Sequence, residues 1–272
     1  MDSVLKQRVV TGAVLIVAVF LGVLFLPSNY FAIASLIVLV SMGGWEWARL
    51  VALDSATQSL FVVGLLIVAL SAYFIDNLRW VFIVAGVLWW VAALVLLAIY
   101  EQGTYLYKNY PWLLRLAGFL VLVPAWIALI TLHQHYPLLV LYLIFLVAIT
   151  DSGAYFMGKA FGRNKLAPEL SPGKTREGMF GGVAGALIWS ILGAWFFDLA
   201  ATDWLYFILL SLVVAFISVS GDLFESLIKR EAGQKDSGNI LPGHGGILDR
   251  VDGLIATLPI FTLGIFWGAV QL

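Results

Sequence analysis

An all-α, polytopic integral membrane helical bundle of about nine transmembrane helices, N-terminus inside and C-terminus outside, is the fold this sequence predicts. Three observations carry it. The 272 residues are 62% hydrophobic and 11% charged, with mean hydropathy +1.00, whereas a soluble domain is about 25% charged. Nine stretches are apolar over the length a helix needs to cross about 30 Å of hydrocarbon. The Lys and Arg residues between those stretches fall almost wholly on alternate sides.

The expected spans are Val9–Leu26, Tyr30–Arg49, Ser59–Ile75, Trp80–Tyr100, Arg115–Leu132, Leu138–Met157, Gly178–Phe197, Trp204–Leu227 and Leu254–Val270. They are expected to be helices, because lipid offers no water to unpaired backbone groups. Trp80, Tyr100, Trp112 and Trp204 lie near span ends, where an apolar ring with a polar tip is well placed. The first span follows Lys6 and Arg8. It is longer than a signal-peptide core and lacks an A-x-A-like cleavage site, so it is expected to remain as a span.

With the N-terminus inside, the inner segments hold Lys6, Arg8, Arg49, Lys108, Arg115, Lys159, Arg163, Lys165, Lys174, Arg176, Lys229, Arg230, Lys235 and Arg250. The outer segments hold Arg79 alone. That imbalance sets the orientation and also tests the span count, since one helix more or fewer would scramble it. Both large polar loops, 158–177 and 228–253, then face the cytoplasm. The chain reads as one membrane domain, helices 1–5 over 1–135 and helices 6–9 with the two loops over 136–272. The absence of cysteine excludes a disulfide framework and thiolate metal sites.

Gly178 with Gly182, and Gly181 with Gly185, form two GxxxG pairs in the seventh span. Close helix–helix packing is the expected reason. A glycine-rich helix start beside a phosphate is the alternative.

Charge concentrates in the last two polar regions. Asp222 and Glu225, three apart, share a face at the end of the eighth span, and Asp249 and Asp252 do so at the start of the ninth. Antiparallel neighbours bring both pairs to one depth. Clustered carboxylates are tolerated where a cation sits among them, and oxygen ligands suit Mg²⁺. A solvated loop, salt-bridged by Lys229, Arg230 and Arg250, is the competing reading. PGHGG, around His244, lacks the P-loop pattern but permits close backbone approach of a ligand; a plain tight turn explains it equally. SPGKTREG supplies Lys174, Arg176, Ser171 and Thr175 ahead of a helix N-terminus, the donor set a phosphate requires, although ordinary inside-positive charge would look the same. Asp151 is an intramembrane acid and so a functional candidate. Glu46 ranks lower because it can pair with Arg49 at i,i+3. His133 and His135 are expected at the surface.

Together these residues resemble the phosphatidate cytidylyltransferase (CDP-diacylglycerol synthase) family. The signature runs through Ser226, Lys229–Arg230, Lys235–Asp236, Gly238, Pro242, His244–Gly245–Gly246, Asp249–Arg250 and Asp252. GDLFES, SPGKT-x-EG and DSGAYFMG also match, so the likeness covers about Asp151 to Asp252. Gly173 stands where some members carry a second lysine. The resemblance implies transfer of a cytidylyl group from CTP to phosphatidate, with pyrophosphate released, by a homodimeric enzyme of the bacterial inner membrane. It implies a catalytic set of Asp222, Lys229, Asp236, Asp249 and Asp252. Substrate binding falls to Ser171, Lys174, Thr175, Arg176, Arg230, Lys235, His244 and Gly245. Magnesium, beside a second cation, would sit at Asp222, Asp249 and Asp252. The bilayer is a partner; no nucleic acid is expected. A polyprenol or phytol kinase would use the same nucleotide but leave a bare phosphate on the lipid. An ion-coupled transporter would place its acids near the midplane of broken helices, whereas here they cluster at helix ends.

Overall fold

The computed structural model describes residues 3–100 and 110–268. In order, the chain forms α1 (Ser3–Phe25), α2 (Ser28–Leu50), α3 (Ser55–Phe74), α4 (Asp76–Ala98), α5 (Pro111–His135), α6 (Pro137–Phe161), β1 (Lys165–Ala167), β2 (Ser171–Thr175), α7 (Arg176–Phe196), α8 (Ala201–Glu231) and α9 (Leu248–Trp267). Eight of these helices have the length and apolarity to span a membrane, and α1 contributes a shorter apolar stretch, Val9–Phe25. The expected polytopic membrane helical architecture is therefore present, with one small hairpin added to it. Lys108 and the Val270 end of the ninth expected span lie outside the described residues.

Boundaries follow local chemistry. Asp54 caps α3, its carboxylate accepting from the Ala56 and Thr57 amides at 3.1 Å and the Thr57 hydroxyl at 2.7 Å. Pro111 and Pro137 open α5 and α6, where the missing N–H costs nothing. This moves the start of the fifth span four residues ahead of the expected Arg115. The eighth helix extends to Glu231, and the ninth begins at Leu248 rather than Leu254. At 31 residues, α8 is about 46 Å long. It exceeds the ~30 Å hydrocarbon core.

The 158–177 region is not the open loop the sequence suggests. Its middle folds into an antiparallel hairpin, Lys165 opposite Thr175 and Ala167 opposite Ser171. Glu177 closes the base, accepting from Arg163 N at 3.1 Å, Asn164 N at 3.2 Å and Asn164 Nδ2 at 2.7 Å. Strands are acceptable here because they pair with each other and stand outside the helical bundle.

The core is built around α5, buried on all sides from Val121 to His133. On its flank α6 and α7 pack through the glycine face of α7. A Cβ at Gly178 would lie 2.7 Å from Ala154 O, one at Gly181 2.7 Å from Gly153 O, and one at Gly182 2.8 Å from Thr150 O. The two GxxxG pairs thus serve backbone-to-backbone approach, as expected. His133 departs from its expected surface place. It is 4% exposed, stacks on Phe31 at 3.8 Å and meets Val23 O through Nε2 at 3.0 Å. One ring nitrogen is thus satisfied, while Nδ1 is buried without a partner among the described residues; His135 remains exposed.

Candidate active site

Two polar assemblies meet at the C-terminal end of α8. The first is a cavity of about 510 Å³ among α6, the hairpin, α7 and α8. Asp151, Ser171, Lys174, Thr175 and Asp222 give it polar walls; Tyr155, Leu166, Met179 and Val219 give it apolar ones. Lys174 Nζ bonds Asp222 Oδ2 at 2.7 Å and reaches Val219 O at 3.4 Å. Asp222 Oδ1 also accepts from Ser226 Oγ at 3.3 Å. Thr175 is spent locally: as N-cap of α7 its hydroxyl accepts from Gly178 N at 3.1 Å.

The second assembly is a carboxylate–lysine knot between α8, α9 and the loop joining them. Lys229, buried, bonds Glu225 Oε2 at 3.0 Å and Asp249 Oδ1 at 2.7 Å. Asp249 Oδ2 accepts from Ser237 N at 2.9 Å, Ser237 Oγ at 3.0 Å and Gly246 N at 2.9 Å. Both its oxygens are therefore occupied. Glu225 Oε1 is buried without a hydrogen bond from a lysine, hydroxyl or amide donor among the described residues, and the Glu225 carboxyl lies against that of Asp252. Asp252 lies beside Glu225 and Asp222 and accepts from Gly253 N at 2.8 Å.

Aromatic residues from the N-terminal half hold the end of α8 in place. Phe224 packs against Trp90, Trp89 and Trp47 at 5.6, 5.8 and 6.4 Å. Trp47 is tied in turn to Leu114 O at 3.0 Å. The neighbouring Glu225 thereby has a set direction.

The PGHGG segment is a turn stabilised by Leu241 N to Gly245 O and His244 N to Leu241 O, both 2.9 Å. Gly243 and Gly245 have φ of +74° and +82°, values L side chains rarely adopt. Arg250 grips the turn from below, its Nε and Nη2 bonding His244 O at 2.8 and 2.6 Å. The His244 ring rests on α1, where a Cβ at Gly12 would lie 3.6 Å from Nε2.

The structure brings Ser171, Lys174, Thr175 and Asp222 to the cavity, and Lys229, Asp249 and Asp252 to the knot beside it. Arg230 instead ties the hairpin to α8, through Nε to Leu170 O at 3.4 Å and Nη1 to Gln234 O at 3.3 Å. Arg176, Lys235 and Asp236 are exposed and do not line the cavity. For a metal ion the carboxylates are right in type, hard oxygens, one of which is buried against a second carboxyl. Their arrangement does not complete a site: among the described residues no three His, Asp or Glu side chains are grouped to hold one. Asp222 and Asp249 are each bonded to a lysine ammonium, Lys174 and Lys229.

Glu46 is the residue whose contacts the sequence reading placed wrongly. It is 0% exposed and does not pair with Arg49. Its Oε2 accepts from Ser237 Oγ at 3.1 Å and Leu248 N at 2.9 Å, and its Oε1 from Ile247 N at 3.0 Å. A π-helical stretch of α2, Leu36–Met42, precedes it and rotates the following face. Within the regular α-helical turns that follow, Glu46 is buried and Arg49 is exposed. An acid inside a span was the available signal; its partners, some 200 residues away, gave none.

Comparison with known proteins shows the family. The model of the cytidylyltransferase family matches residues 6–267. The chain is 39% identical to the phosphatidate cytidylyltransferase of Pseudomonas aeruginosa, covering 97% of this chain and 98% of that protein. It is 37% identical to the phosphatidate cytidylyltransferase of Haemophilus influenzae, covering 97% and 99%. The likeness to the Bacillus subtilis protein of the same name, 46%, covers half of each chain.

Proposed function

The chain belongs to the cytidylyltransferase family, and from that premise we propose that it transfers the cytidylyl group of CTP to phosphatidate. A phosphate oxygen of phosphatidate attacks the α-phosphorus of CTP. The bond from that phosphorus to the bridging oxygen breaks, and pyrophosphate leaves with both electrons. The nucleophile needs no strong base, because a phosphate monoester has its second pKa near ~6 and is mostly dianionic at pH 7. The obstacle is charge: a dianion must approach a triphosphate.

The observation that carries this reading is the cavity. It sets Lys174, the hairpin and the start of α7 against apolar walls, at the end of the bundle where α8 closes. Phosphates can meet an ammonium and hydroxyls there while acyl chains stay in lipid. Lys174 is the ammonium at hand, and incoming phosphate oxygens compete with Asp222 for it. Ser171 contributes a hydroxyl. Thr175 holds the start of α7 open towards the cavity. Arg176 and Arg230 supply positive charge beside the hairpin, Lys235 is an exposed cation of the α8–α9 loop, and His244 and Gly245 shape the turn beside Asp236. Lys229, already bonded to two carboxylates, fixes Asp249 and Glu225.

Magnesium is the cation expected with a triphosphate, and bound there it would offset phosphate charge. Asp222, with Asp252 beside it, would meet it; Asp249 would first have to exchange Lys229. A homodimer in the bacterial inner membrane, with this site facing the cytoplasm, belongs to the same proposal.

The test is purified protein given labelled CTP and phosphatidate. Label in a CDP-lipid with release of pyrophosphate is the expected result. Transfer of the γ-phosphate alone would assign a lipid kinase instead, and no transfer would overturn the reading.

A further inference from the structure

We propose that Glu46, a residue of the N-terminal half outside the cavity, is a positioning residue for the transfer reaction. It would act through Ser237 on Asp249. The inference deepens the reading above and rests on Asp249 being functional.

The Glu46 carboxylate is wholly buried, and its partners are one hydroxyl and two backbone amides. Those amides, Ile247 N and Leu248 N, are at the N-terminus of α9. An acid there satisfies donors that the helix cannot pair itself and lies at the positive end of the helix dipole. The same carboxylate meets Ser237, whose hydroxyl stands 3.1 Å from Glu46 Oε2 and 3.0 Å from Asp249 Oδ2. The single hydroxyl proton of Ser237 is thus shared between the two carboxylates, while its amide donates to Asp249 at 2.9 Å. From Asp249 the contacts run to Lys229 and Glu225. Glu46 therefore sets both the start of α9, which carries Asp249, and the loop residue that orients it.

Two signature glycines fit this arrangement. A Cβ at Gly238 would overlap Glu46 Oε1. One at Gly246 would overlap Ser237 Oγ and lie 2.7 Å from both Glu46 oxygens. The loop is shaped to admit this carboxylate. A helix cap alone would need only the two amide contacts; the Ser237 bridge carries the effect to Asp249.

The test compares Glu46→Gln, Glu46→Asp, Ser237→Ala, Asp249→Asn and the Glu46→Gln/Ser237→Ala double variant, full chains purified alike. CDP-lipid formation is expressed per folded molecule. Because Glu46 does not line the cavity, Glu46→Gln is expected to lower kcat at least tenfold, with KM for CTP and for phosphatidate within threefold. Glu46→Asp should recover part of that loss. In the Ser237→Ala background Glu46→Gln should cost less than threefold more. A merely structural role would lower the yield of folded protein and leave its kcat normal. A kcat loss under tenfold in Glu46→Gln, alongside an inactive Asp249→Asn, overturns the inference and leaves the reading of Asp249 standing. Activity of Asp249→Asn within tenfold of the parent overturns that reading and the inference with it. If Glu46→Gln does not accumulate, Glu46→Asp decides: a kcat loss under threefold overturns the inference, and a larger loss that disappears in the Ser237→Ala background supports it.

Discussion

Glu46 Oε2 accepts a 2.9 Å hydrogen bond from the amide of Leu248, 202 residues later in the chain. The second helix of the bundle thereby caps the last one, at the point where the last one turns Asp249 towards Lys229. The N-terminal half is more than a membrane anchor, because three of its tryptophans and this one acid set the end of α8 and the start of α9.

Asp249→Asn removes the charge that holds Lys229 and accepts from Ser237 and Gly246, yet keeps the side chain's size. A broken surface ion pair costs about 0–1 kcal/mol, under tenfold in rate. Loss of a group that organises the reacting charges should cost several kcal/mol, a fall of about a hundredfold or more. CDP-lipid formation by the purified variant, across a Mg²⁺ titration, measures it. Activity within tenfold and an unchanged Mg²⁺ dependence would make the knot purely structural.

Lys174→Ala is expected to raise KM for CTP by about tenfold, since one charge-assisted contact to phosphate disappears. Asp222 also loses its 2.7 Å partner, so kcat should fall as well. Initial rates against CTP concentration test this; an unchanged CTP dependence would show that the hairpin lysine serves only the folded structure.

Thr175→Ala and Thr175→Ser separate cap from substrate contact. The cap to Gly178 N is worth about 1 kcal/mol. Thr175→Ala should therefore lower the unfolding temperature in detergent by a few degrees, while Thr175→Ser should keep both the cap and the activity. A Thr175→Ser variant that is stable but inactive would point to a role beyond capping.

Topology is tested with reporters. Fusions at the C-terminus should be active on the outer side of the membrane, and fusions in the hairpin on the cytoplasmic side, as the Lys and Arg distribution requires. A C-terminal reporter active only in the cytoplasm would reverse the assignment.

Chain-local physics made much of this protein legible in the sequence. Apolar runs long enough for hydrocarbon mark the spans, and the glycine spacing of α7 marks its packing face. Asp222, Lys229, Asp249 and Asp252 announce themselves because charge is rare elsewhere and their i,i+3 and i,i+4 spacings set which of them share a helix face. Tertiary structure alone decided how that charge is paired: Lys229 between Glu225 and Asp249, Lys174 on Asp222, Ser237 between two carboxylates. It also decided that the 158–177 region is a hairpin, that His133 is buried against Phe31, and that Glu46 turns from Arg49 to the start of α9. Helix period and hydropathy act over a few residues and can be read along the chain. The partner of a buried polar group is whichever donor the packed fold brings within about 3 Å, and for Glu46 that donor lies about 200 residues away.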